Sequence, residues 1–445
     1  MRNQFNRAIG NSHAINFPIF LNSYTIRNLI ISRPMNTQPD PSKSQALPAL
    51  QGLRVIEIGT FLSAPFAATL LADFGADVLK IELPKEGDPM RTLGTFPPEG
   101  DSGYWWSSIA RNKRSVSLDI RKPEGLEILG QLIQSADFLI ENFRPGTLAR
   151  WGITTEWLKD KKPELIVVHI SGYGQDGPWR DVPGFDRNAQ AFSGLAYVTG
   201  EKESAPQQAG LPVCDFNAGL WAAFGAVTAM LGKVRHHETV GNEIDLALYE
   251  TMIPFLKDMP MRYRHQGIVT ERTGNTPDYV SPGGAYLTGS NEWIFISGTG
   301  DRVFLRLMVA IGRDDLAQMP IFKLNKDRVT HRPVLDDAIN QWLQQRNTDE
   351  VLRVFEANDV PAAKIQNIAD LMNHPQVIAR GNFVDVPNHD RGDVCITAPV
   401  PRLARRPATI RWAGQDLGES TQAILQGELK LTDDQLSQLR DRGVI

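Results

Sequence analysis

The sequence predicts an α/β fold, with a large domain built on a parallel sheet and a smaller α+β domain. Between residues 53 and 171, short apolar segments alternate with segments of helical spacing. This alternation is typical of parallel strands that are joined by helices. The chain has 445 residues, enough for two or three domains. Hydrophobic residues make up 42% of it and charged residues 22%, a composition that excludes a mainly disordered protein.

The alternating region is predicted to hold five strands and at least two helices. Ala64–Phe74 has helical spacing and ends at Gly75, a residue type that is common just after a helix. Pro123–Ala136 is also helical in period, and its proline suits a first helical turn. The predicted strands are Leu53–Ile58, Asp77–Leu83, Arg114–Ile120, Asp137–Ile140 and Leu165–Ser171.

The rest of the chain is predicted to mix helices with one hairpin. Residues 175–215 are rich in glycine, proline and aspartate and have no periodicity, which is typical of a long functional connection. A helix is predicted at Ala218–Val234. The uncharged stretch around it is shorter than the roughly 20 apolar residues of a membrane span, so we expect a core helix and no membrane partner. The other predicted elements are a hairpin at Tyr286–Ser297 and helices near Val303–Ile311, Val334–Gln345, Thr348–Ala357 and Thr432–Arg440.

These patterns divide the chain into four parts. Residues 1–48 are expected to be an extension, and residues 49–261 the N-terminal part of the large domain. Residues 262–365 are expected to form the small α+β domain, where hairpin and helix patterns replace the strand–helix alternation. Residues 366–445 are expected to return to the large domain.

The N-terminal extension has two interpretations. Residues 1–39 contain arginines but neither lysine nor acid, a composition found in organelle transit peptides. Met35 alternatively begins a polar, proline-rich leader, which would make the upstream segment a disordered tail or an overlong gene model. The only cysteines are Cys214 and Cys395, which excludes a disulfide framework and fits a reducing compartment. We therefore expect a cytoplasmic protein, or a mitochondrial one if residues 1–34 are a transit peptide.

Several common kinds of chemistry are not indicated by the sequence. The turn after the first strand lacks the glycine pattern of dinucleotide-binding folds, and the chain has no phosphate loop of the Gly-x-x-x-x-Gly-Lys kind. The serine-hydrolase elbow Gly-x-Ser-x-Gly and the zinc motif His-Glu-x-x-His do not occur either. The formal net charge of −4 gives no basic surface for nucleic acid at the level of the whole chain.

Asp215 is the most informative carboxylate. It follows Cys214 and a short apolar segment, and it precedes the uncharged helix. One interpretation is an N-cap, in which the carboxylate accepts hydrogen bonds from the first helical N–H groups. A helix start would also stabilise its ionised form. The other interpretation is a covalent nucleophile, and the residues alone leave both open.

A set of motifs occurs in a fixed order from residue 50 to the C-terminus. They are Leu71–Glu82, Asn112–Asp119, Glu141–Gly146, Arg150–Gly152, Ser171–Pro178, Gly184–Asp186, Ala191–Gly194, Leu417–Thr421 and Gly443–Ile445. Each is weak alone, but in this order they resemble the class III CoA-transferases, the formyl-CoA and carnitine type. The resemblance implies a Rossmann-like large domain and an intertwined homodimer.

The resemblance also implies a reaction. CoA would pass from an acyl-CoA donor to a free carboxylic acid acceptor, through an aspartyl anhydride and an aspartyl-CoA thioester. The family nucleophile matches Asp215. A mobile glycine loop that stabilises the oxyanion matches Gly283 and Gly284. A coenzyme A thioester would be the co-substrate, and no metal, flavin or nicotinamide is implied.

CoA-binding positions carry over from the motifs in the same way. Arg150 matches an arginine that meets the CoA phosphates, and Arg121 matches a basic residue near the nucleotide; the guanidinium fork suits phosphate. Asn142 and Phe143 match positions along the CoA path. The other positions assigned to CoA or its acyl group are Leu62, Ser63, Leu118, Phe185 and Asp186.

Two departures bear on the substrate and on the rival reaction. The formyl-CoA enzymes carry glutamine where this chain has Leu62, so oxalate and formate are doubtful substrates. The α-methylacyl-CoA racemases have a similar fold but need a second acid/base, a histidine where this chain has Phe185. Phenylalanine cannot exchange a proton. We therefore favour a transferase; the alternatives are a racemase-like enzyme, CoA lyase- or hydrolase-like relatives, and an inactive CoA-binding paralogue.

Overall fold

The main sheet has six strands. In this computed structural model, which describes residues 47–97, 102–388 and 392–445, they are β1 (Arg54–Glu57), β2 (Asp77–Glu82), β3 (Lys113–Ser117), β4 (Phe138–Glu141), β5 (Ile166–Ser171) and β6 (Glu243–Ala247). Their order across the sheet is β3-β2-β1-β4-β5-β6, and every neighbouring pair is parallel. This is the Rossmann strand order, so the predicted α/β fold is confirmed. Residues 1–34, for which a transit peptide was one interpretation, lie outside the described residues.

The helices of this region follow the strands. They are α1 (Ser63–Asp73), α2 (Tyr104–Ile109), α3 (Pro123–Ile133), α4 (Thr147–Arg150), α5 (Thr155–Lys161), α6 (Asp186–Phe192), α7 (Leu195–Val198), α8 (Val213–His236) and α9 (Met259–Gln266), with 3₁₀ helices at Pro89–Thr92 and Glu250–Leu256. Two of them, α6 and α7, lie in the segment 175–215 that was expected to be irregular. The long helix α8 begins at Val213 rather than Ala218, so Asp215 lies inside it.

The sheet carries a core on each face. Side chains alternate along a strand, so Ile56 and Leu79 pack into one core while Val55 and Val78 pack into the other. The first core also includes C-terminal residues such as Val444, whose carbonyl accepts a hydrogen bond from the backbone N–H of Asp119 at 2.7 Å. The second core contains alanines of α1 and α8, which let these two helices pack closely.

Gly219 marks the closest approach of α8 to α1. A Cβ atom added at Gly219 would lie 2.8 Å from the carbonyl oxygen of Ser63 and 2.9 Å from the ring of Phe66. By length and hydropathy alone α8 could cross a bilayer. Core helices pass the same test, and the alanine face of α8 is buried against α1 and the sheet.

Two smaller sheets follow in the chain. Strands β7 (Gly283–Leu287), β8 (Trp293–Ser297) and β9 (Ala362–Lys364) form an antiparallel sheet in the order β7-β8-β9, and β10 (Phe383–Val386) pairs antiparallel with β11 (Val394–Thr397). The predicted hairpin is therefore confirmed. The helices here are α10 (Asp301–Ala310), α11 (Asp314–Gln318), α12 (Asn325–Thr330), α13 (Arg332–Leu343), α14 (Thr348–Ala357), α15 (Ile368–Asn373), α16 (Pro375–Ala379), α17 (Thr421–Gly427) and α18 (Asp433–Asp441), with a 3₁₀ helix at Pro320–Phe322. The four-part division of the chain stays a prediction.

Candidate active site

The strand order reverses between β1 and β4, and parallel sheets bind ligands beside such a switch point. Here the turn after β1 meets the segment after β4. Asn142 makes the contact with a single side chain: its Oδ1 accepts from the backbone N–H of Thr60 at 2.8 Å, and its Nδ2 donates to the carbonyl of Thr60 at 2.8 Å and to Ser63 Oγ at 3.1 Å. Asn142 therefore fixes the turn that starts α1.

The segment after β4 is fixed in turn by Glu141. Its Oε2 accepts from the backbone N–H of Phe143 at 2.6 Å, and its Oε1 lies 2.6 Å from His169 Nδ1 on β5. Burial disfavours the charged form of His169, but the hydrogen bond and charge of Glu141 outweigh it and raise the pKa of His169 above its usual value. Glu141, itself held by His169, thus positions the backbone of Phe143 at the edge of the sheet.

A buried charge network lies beneath the turn after β1. Lys80 Nζ donates to Glu57 Oε1 at 2.7 Å and to Asp88 Oδ2 at 2.6 Å, while Lys113 Nζ donates to Glu57 Oε2 at 2.8 Å. All four side chains are at most 2% exposed. Burial lowers the pKa of Lys113 to about 8, whereas for Lys80 the charges of Asp88 and Glu57 overcome burial and raise the pKa.

This network is bonded directly to the turn. Lys80 Nζ also donates to the carbonyl of Gly59, and Asp88 Oδ1 accepts from the backbone N–H of Phe61 at 3.0 Å. Phe61 has a φ of 61°, a left-handed conformation that is uncommon for a residue with a side chain. The two hydrogen bonds account for how the turn keeps this conformation.

A cavity of about 220 Å³ opens at this switch point. Its lining residues come from the turn after β1, the end of β5, the segments after β4, β5 and β6, and the first turn of α8. They are Thr60, Phe61, Leu62, Ser63, Asn142, Phe143, Arg144, Ile170, Ser171, Gly172, Gly184, Phe185, Asp215 and Leu248. The structure therefore brings Asp215 together with five of the positions predicted to bind CoA, although their contact with CoA stays a prediction.

Asp215 is not the N-cap of α8. It is the third residue of the helix, and the cap position is Pro212, which has no side-chain cap. The N–H groups of Cys214 and Asp215 donate instead to Asp186 Oδ1, at 2.8 and 3.2 Å. The N-cap interpretation is therefore wrong.

The electrostatic setting of Asp215 also differs from the expectation. Burial, followed by the charge of Asp186, raises the pKa of Asp215 to about 7. The expectation that the helix start stabilises the ionised form is wrong, because another carboxylate occupies the N–H groups that would do so. Near neutral pH, both the protonated and the ionised form of Asp215 are therefore populated.

A second cavity of about 210 Å³ shares Thr60 and Phe143 with the first. Two further predicted CoA positions, Leu118 and Arg121, line it. The guanidinium of Arg121 is half exposed and is held by Asp119, with Nε 2.7 Å from Oδ1 and Nη2 2.9 Å from Oδ2. The two adjoining cavities together leave room for an elongated ligand.

Four predicted positions lie outside these cavities. Arg150 is exposed on α4 and donates to Thr147 Oγ1 at 2.8 Å. Asp186 is buried and faces the start of α8. Gly283 and Gly284 are buried in β7, paired with β8, so the expectation of a glycine loop there is wrong. Their role as oxyanion donors and the roles of Arg150 and Asp186 in CoA binding stay predictions.

Sequence reasoning missed two residues that lie close to Asp215 or to its partner Asp186. Arg144 lines the Asp215 cavity, yet it was noted only as a letter of the Glu141–Gly146 motif. Gln190 bonds to Asp186, and the helical spacing of four residues between the two was the available signal. Among the residues described, no group of three or more His, Cys, Asp or Glu side chains is placed to hold a metal ion.

Comparison with known proteins identifies the family. Residues 50–421 match CoA-transferase family III. The chain is 37% identical to a succinyl-CoA–D-citramalate CoA-transferase of Chloroflexus aurantiacus, over 89% of this chain and 98% of that protein, and 39% identical to a succinyl-CoA–L-malate CoA-transferase beta subunit of the same organism, with the same coverage. A CaiB/BaiF family protein from Brucella suis has a crystal structure that matches with a TM-score of 0.75 at 31% identity, over 86% of this chain and all of that chain. The chain belongs to CoA-transferase family III.

Proposed function

We propose that this enzyme moves CoA from an acyl-CoA thioester to a free carboxylic acid through covalent intermediates on Asp215. The observation that carries the proposal is the position of Asp215 at the switch-point cavity. Among the described residues that line this cavity, it is the one carboxylate. Its side chain has no hydrogen-bond partner within the described part of the chain, so its oxygens are free to attack.

The reaction proceeds by two exchanges at the Asp215 carboxylate. A carboxylate oxygen attacks the donor thioester carbonyl, the C–S bond breaks, and CoA leaves as a thiolate while a mixed anhydride forms. The thiolate then attacks the Asp215 carbonyl, which releases the donor acid and leaves an aspartyl-CoA thioester. The acceptor carboxylate repeats the sequence in reverse, and the thioester bond energy is conserved.

Two phenylalanines that are 36% and 63% exposed in the free protein, Phe61 and Phe185, would shield the anhydride from water once the acyl group is bound. The cavity lining includes Phe61 and Phe185, whose ring centroids are 6.3 Å apart in an edge-to-face arrangement. Exclusion of water suppresses hydrolysis of reactive intermediates. Phe185 also stands where a racemase would need its second acid/base, which favours transfer over racemisation.

We further propose succinyl-CoA as donor and a dicarboxylate as acceptor. Both curated relatives described above are named for succinyl-CoA and for an acid with two carboxylates, D-citramalate or L-malate. Arg144 supports this choice. It lines the cavity with Asp215, and its guanidinium has no hydrogen-bond or ion-pair partner among residues 47–97, 102–388 and 392–445. A free guanidinium binds a carboxylate bidentately, so Arg144 would hold the carboxylate that does not react.

CoA itself would extend from Asp215 into the second cavity. Its thioester would lie beside Asp215, its chain along Asn142 and Phe143, and its phosphates near Arg121. Arg121 and Asp119 form an ion pair with two hydrogen bonds at that end. The half-exposed guanidinium keeps donors for a phosphate.

We also propose a homodimer, intertwined as in the family it resembles, and a cytoplasmic location. The support for the dimer is an apolar stripe on α8, opposite its alanine face. Its members recur at helical spacing and are all exposed: Leu220, Phe224, Val227, Leu231 and Val234. A second copy of the chain would bury this stripe, because large exposed apolar patches mark interaction surfaces.

The proposed function is tested by trapping the intermediate. The purified enzyme is mixed with succinyl-CoA and a panel of acceptor acids, stopped early, digested and analysed by mass spectrometry. We expect a CoA adduct on the peptide that contains Asp215, together with the acyl-CoA of the acceptor. Absence of any adduct, with solvent deuterium entering the α-carbon of a 2-methylacyl-CoA, would instead indicate a racemase.

The proposed role of Arg144 predicts a change in acceptor preference. With succinyl-CoA as the donor, Arg144→Gln should lower kcat/KM for L-malate as the acceptor roughly 10- to 100-fold, the loss of a charged hydrogen-bonding pair. The kcat/KM for butyrate, which has no second carboxylate, should be nearly unchanged. Steady-state kinetics with both acids measure this. Arg180→Gln, at an exposed arginine outside both cavities, is the matched control, and an equal loss for both acids would contradict the assignment.

A further inference from the structure

The first turn of α8 is capped by a side chain from another helix. Helices begin with N–H groups that have no partner inside the helix. Here Asp186, the first residue of α6, takes two of them through Oδ1, from Cys214 and Asp215. The N–H of Val213 donates to the carbonyl of Leu211 at 2.8 Å. The start of α8 therefore has no free N–H to offer the carboxylate of Asp215.

Gln190 holds this cap in place. It lies one helical turn after Asp186 on α6, and only 1% of it is exposed. Its Nε2 donates to Asp186 Oδ2 at 2.6 Å, and its Oε1 accepts from the backbone N–H of Ala209 at 2.8 Å. A weaker contact joins Nε2 to the carbonyl of Leu211 at 3.4 Å. Gln190 thus ties Asp186 and the segment leading into α8 to the same helix.

The side-chain nitrogen and oxygen of Gln190 each require one kind of hydrogen-bond partner. Its N–H side requires an acceptor at Asp186, and its carbonyl side requires a donor at Ala209. Asp186 is 7% exposed, and an ionised carboxylate at that depth must be hydrogen-bonded. Three donors, two from the backbone and one from Gln190, meet this need.

We propose that Asp186 and Gln190 are positioning residues for the transferase reaction: they occupy the N–H groups at the start of α8, which keeps these groups away from the carboxylate of Asp215, and they hold the negative charge of Asp186 beside that carboxylate. The inference rests on the proposed function of Asp215 and deepens it. A carboxylate bonded to helix N–H groups would be a stabilised anion and a poor nucleophile. With the N–H groups occupied, Asp215 faces the cavity uncapped and reacts with the thioester.

The test compares Asp186→Asn with Asp186→Asn/Gln190→Glu. In the single variant, the new asparagine would keep one oxygen as an acceptor for the N–H groups of α8. Its NH2 group, however, would face the NH2 group of Gln190, so that two hydrogen-bond donors would oppose each other. In the double variant, the new glutamate restores an acceptor toward that asparagine and still accepts from the N–H of Ala209. The double variant therefore keeps the negative charge and the principal hydrogen bonds, but moves the charge one side chain away from Asp215.

The pH profile is the readout that a structural role alone would not move. In the unmodified enzyme, kcat/KM should rise as the pH passes upward through about 7, because the carboxylate form of Asp215 reacts. In the single variant the midpoint should move to lower pH by about one unit, because the like charge is removed, and in the double variant it should move in the same direction by less, because the like charge is more distant. Arg144, the other charged side chain that lines the cavity, is the same in all three proteins. The double variant should recover the thermal stability that the single variant loses.

Labelling with a carbodiimide makes the test independent of turnover. The pH dependence of labelling on the peptide that contains Asp215, followed by mass spectrometry, should show the same shift of midpoint. A folded double variant whose midpoints equal those of the unmodified enzyme would overturn the inference. If instead the unmodified enzyme forms no CoA adduct, the proposed function fails, while the labelling midpoints still decide whether Asp186 and Gln190 control this carboxylate.

Discussion

Asp215→Asn is expected to lower kcat by at least roughly 10³-fold, about 4 kcal/mol of transition-state stabilisation. The amide has nearly the shape of the carboxylate but cannot form the mixed anhydride. Because the side chain of Asp215 has no hydrogen-bond partner within the described residues, its replacement breaks no side-chain hydrogen bond there. Folding and thermal stability should therefore be retained, and the loss should be confined to chemistry. Steady-state CoA transfer from succinyl-CoA measures it.

The matched control is Asp181→Asn. This side chain is 81% exposed and lies outside both cavities, so the same chemical change there should leave kcat within twofold or so of the unmodified enzyme. Retention of a tenth or more of the activity by Asp215→Asn would show that another group is the nucleophile. An unfolded variant would be recognised by circular dichroism, and Asp215→Glu and Asp215→Ser would then probe the same position.

Lys80→Met is expected to destabilise the protein by about 3–5 kcal/mol. Lys80 Nζ lies between Glu57 and Asp88, and its removal leaves two buried carboxylates facing each other with one lysine, Lys113, to balance them. A buried charge without its partner is far more costly than an exposed one. The melting temperature, followed by circular dichroism, should fall by many degrees.

The control for this prediction is Lys159→Met. Lys159 is 60% exposed and meets Glu243 at 3.7 Å, a surface pair of the kind that contributes about 0–1 kcal/mol. Equal melting temperatures for the two variants would contradict the assigned importance of the network. Folded Lys80→Met protein should also have a raised KM for the acyl-CoA, because the turn at Gly59 and Phe61 loses one hydrogen bond and the support of Asp88.

Elements with strong local patterns were predicted closely from the sequence. Helix α14 was predicted with the bounds that the structure has, Thr348–Ala357, and β2 differs by one residue at its end. The type and bounds of such elements follow from the spacing of hydrophobic residues within a short stretch of sequence. The position of Asp215 before a long helix was also visible in the local pattern, but its assignment as the nucleophile came from the family resemblance and stays a prediction.

The failures involve partners that are distant in sequence. The start of α8 was placed at Ala218 because Val213 has no local cap; the cap is Asp186, on another helix. Gly283 and Gly284 follow a proline and suggest a turn, but pairing with β8 extends them into a strand. Lysines in strands usually face solvent, so nothing local indicated that Lys80 and Lys113 are buried against Glu57.

The tight contact at Gly219 implies that the helix contact between α1 and α8 tolerates few substitutions, whereas the loops at the cavity wall tolerate more. Any larger residue there would push α8 away from Ser63 and Phe66, and Asp215 would move with the helix. Directed evolution toward a new acceptor acid should therefore accept changes at Phe61 and Phe185, which belong to loops at the cavity wall. Libraries that vary the α1–α8 contact should yield mostly inactive clones, whatever acid is used for selection.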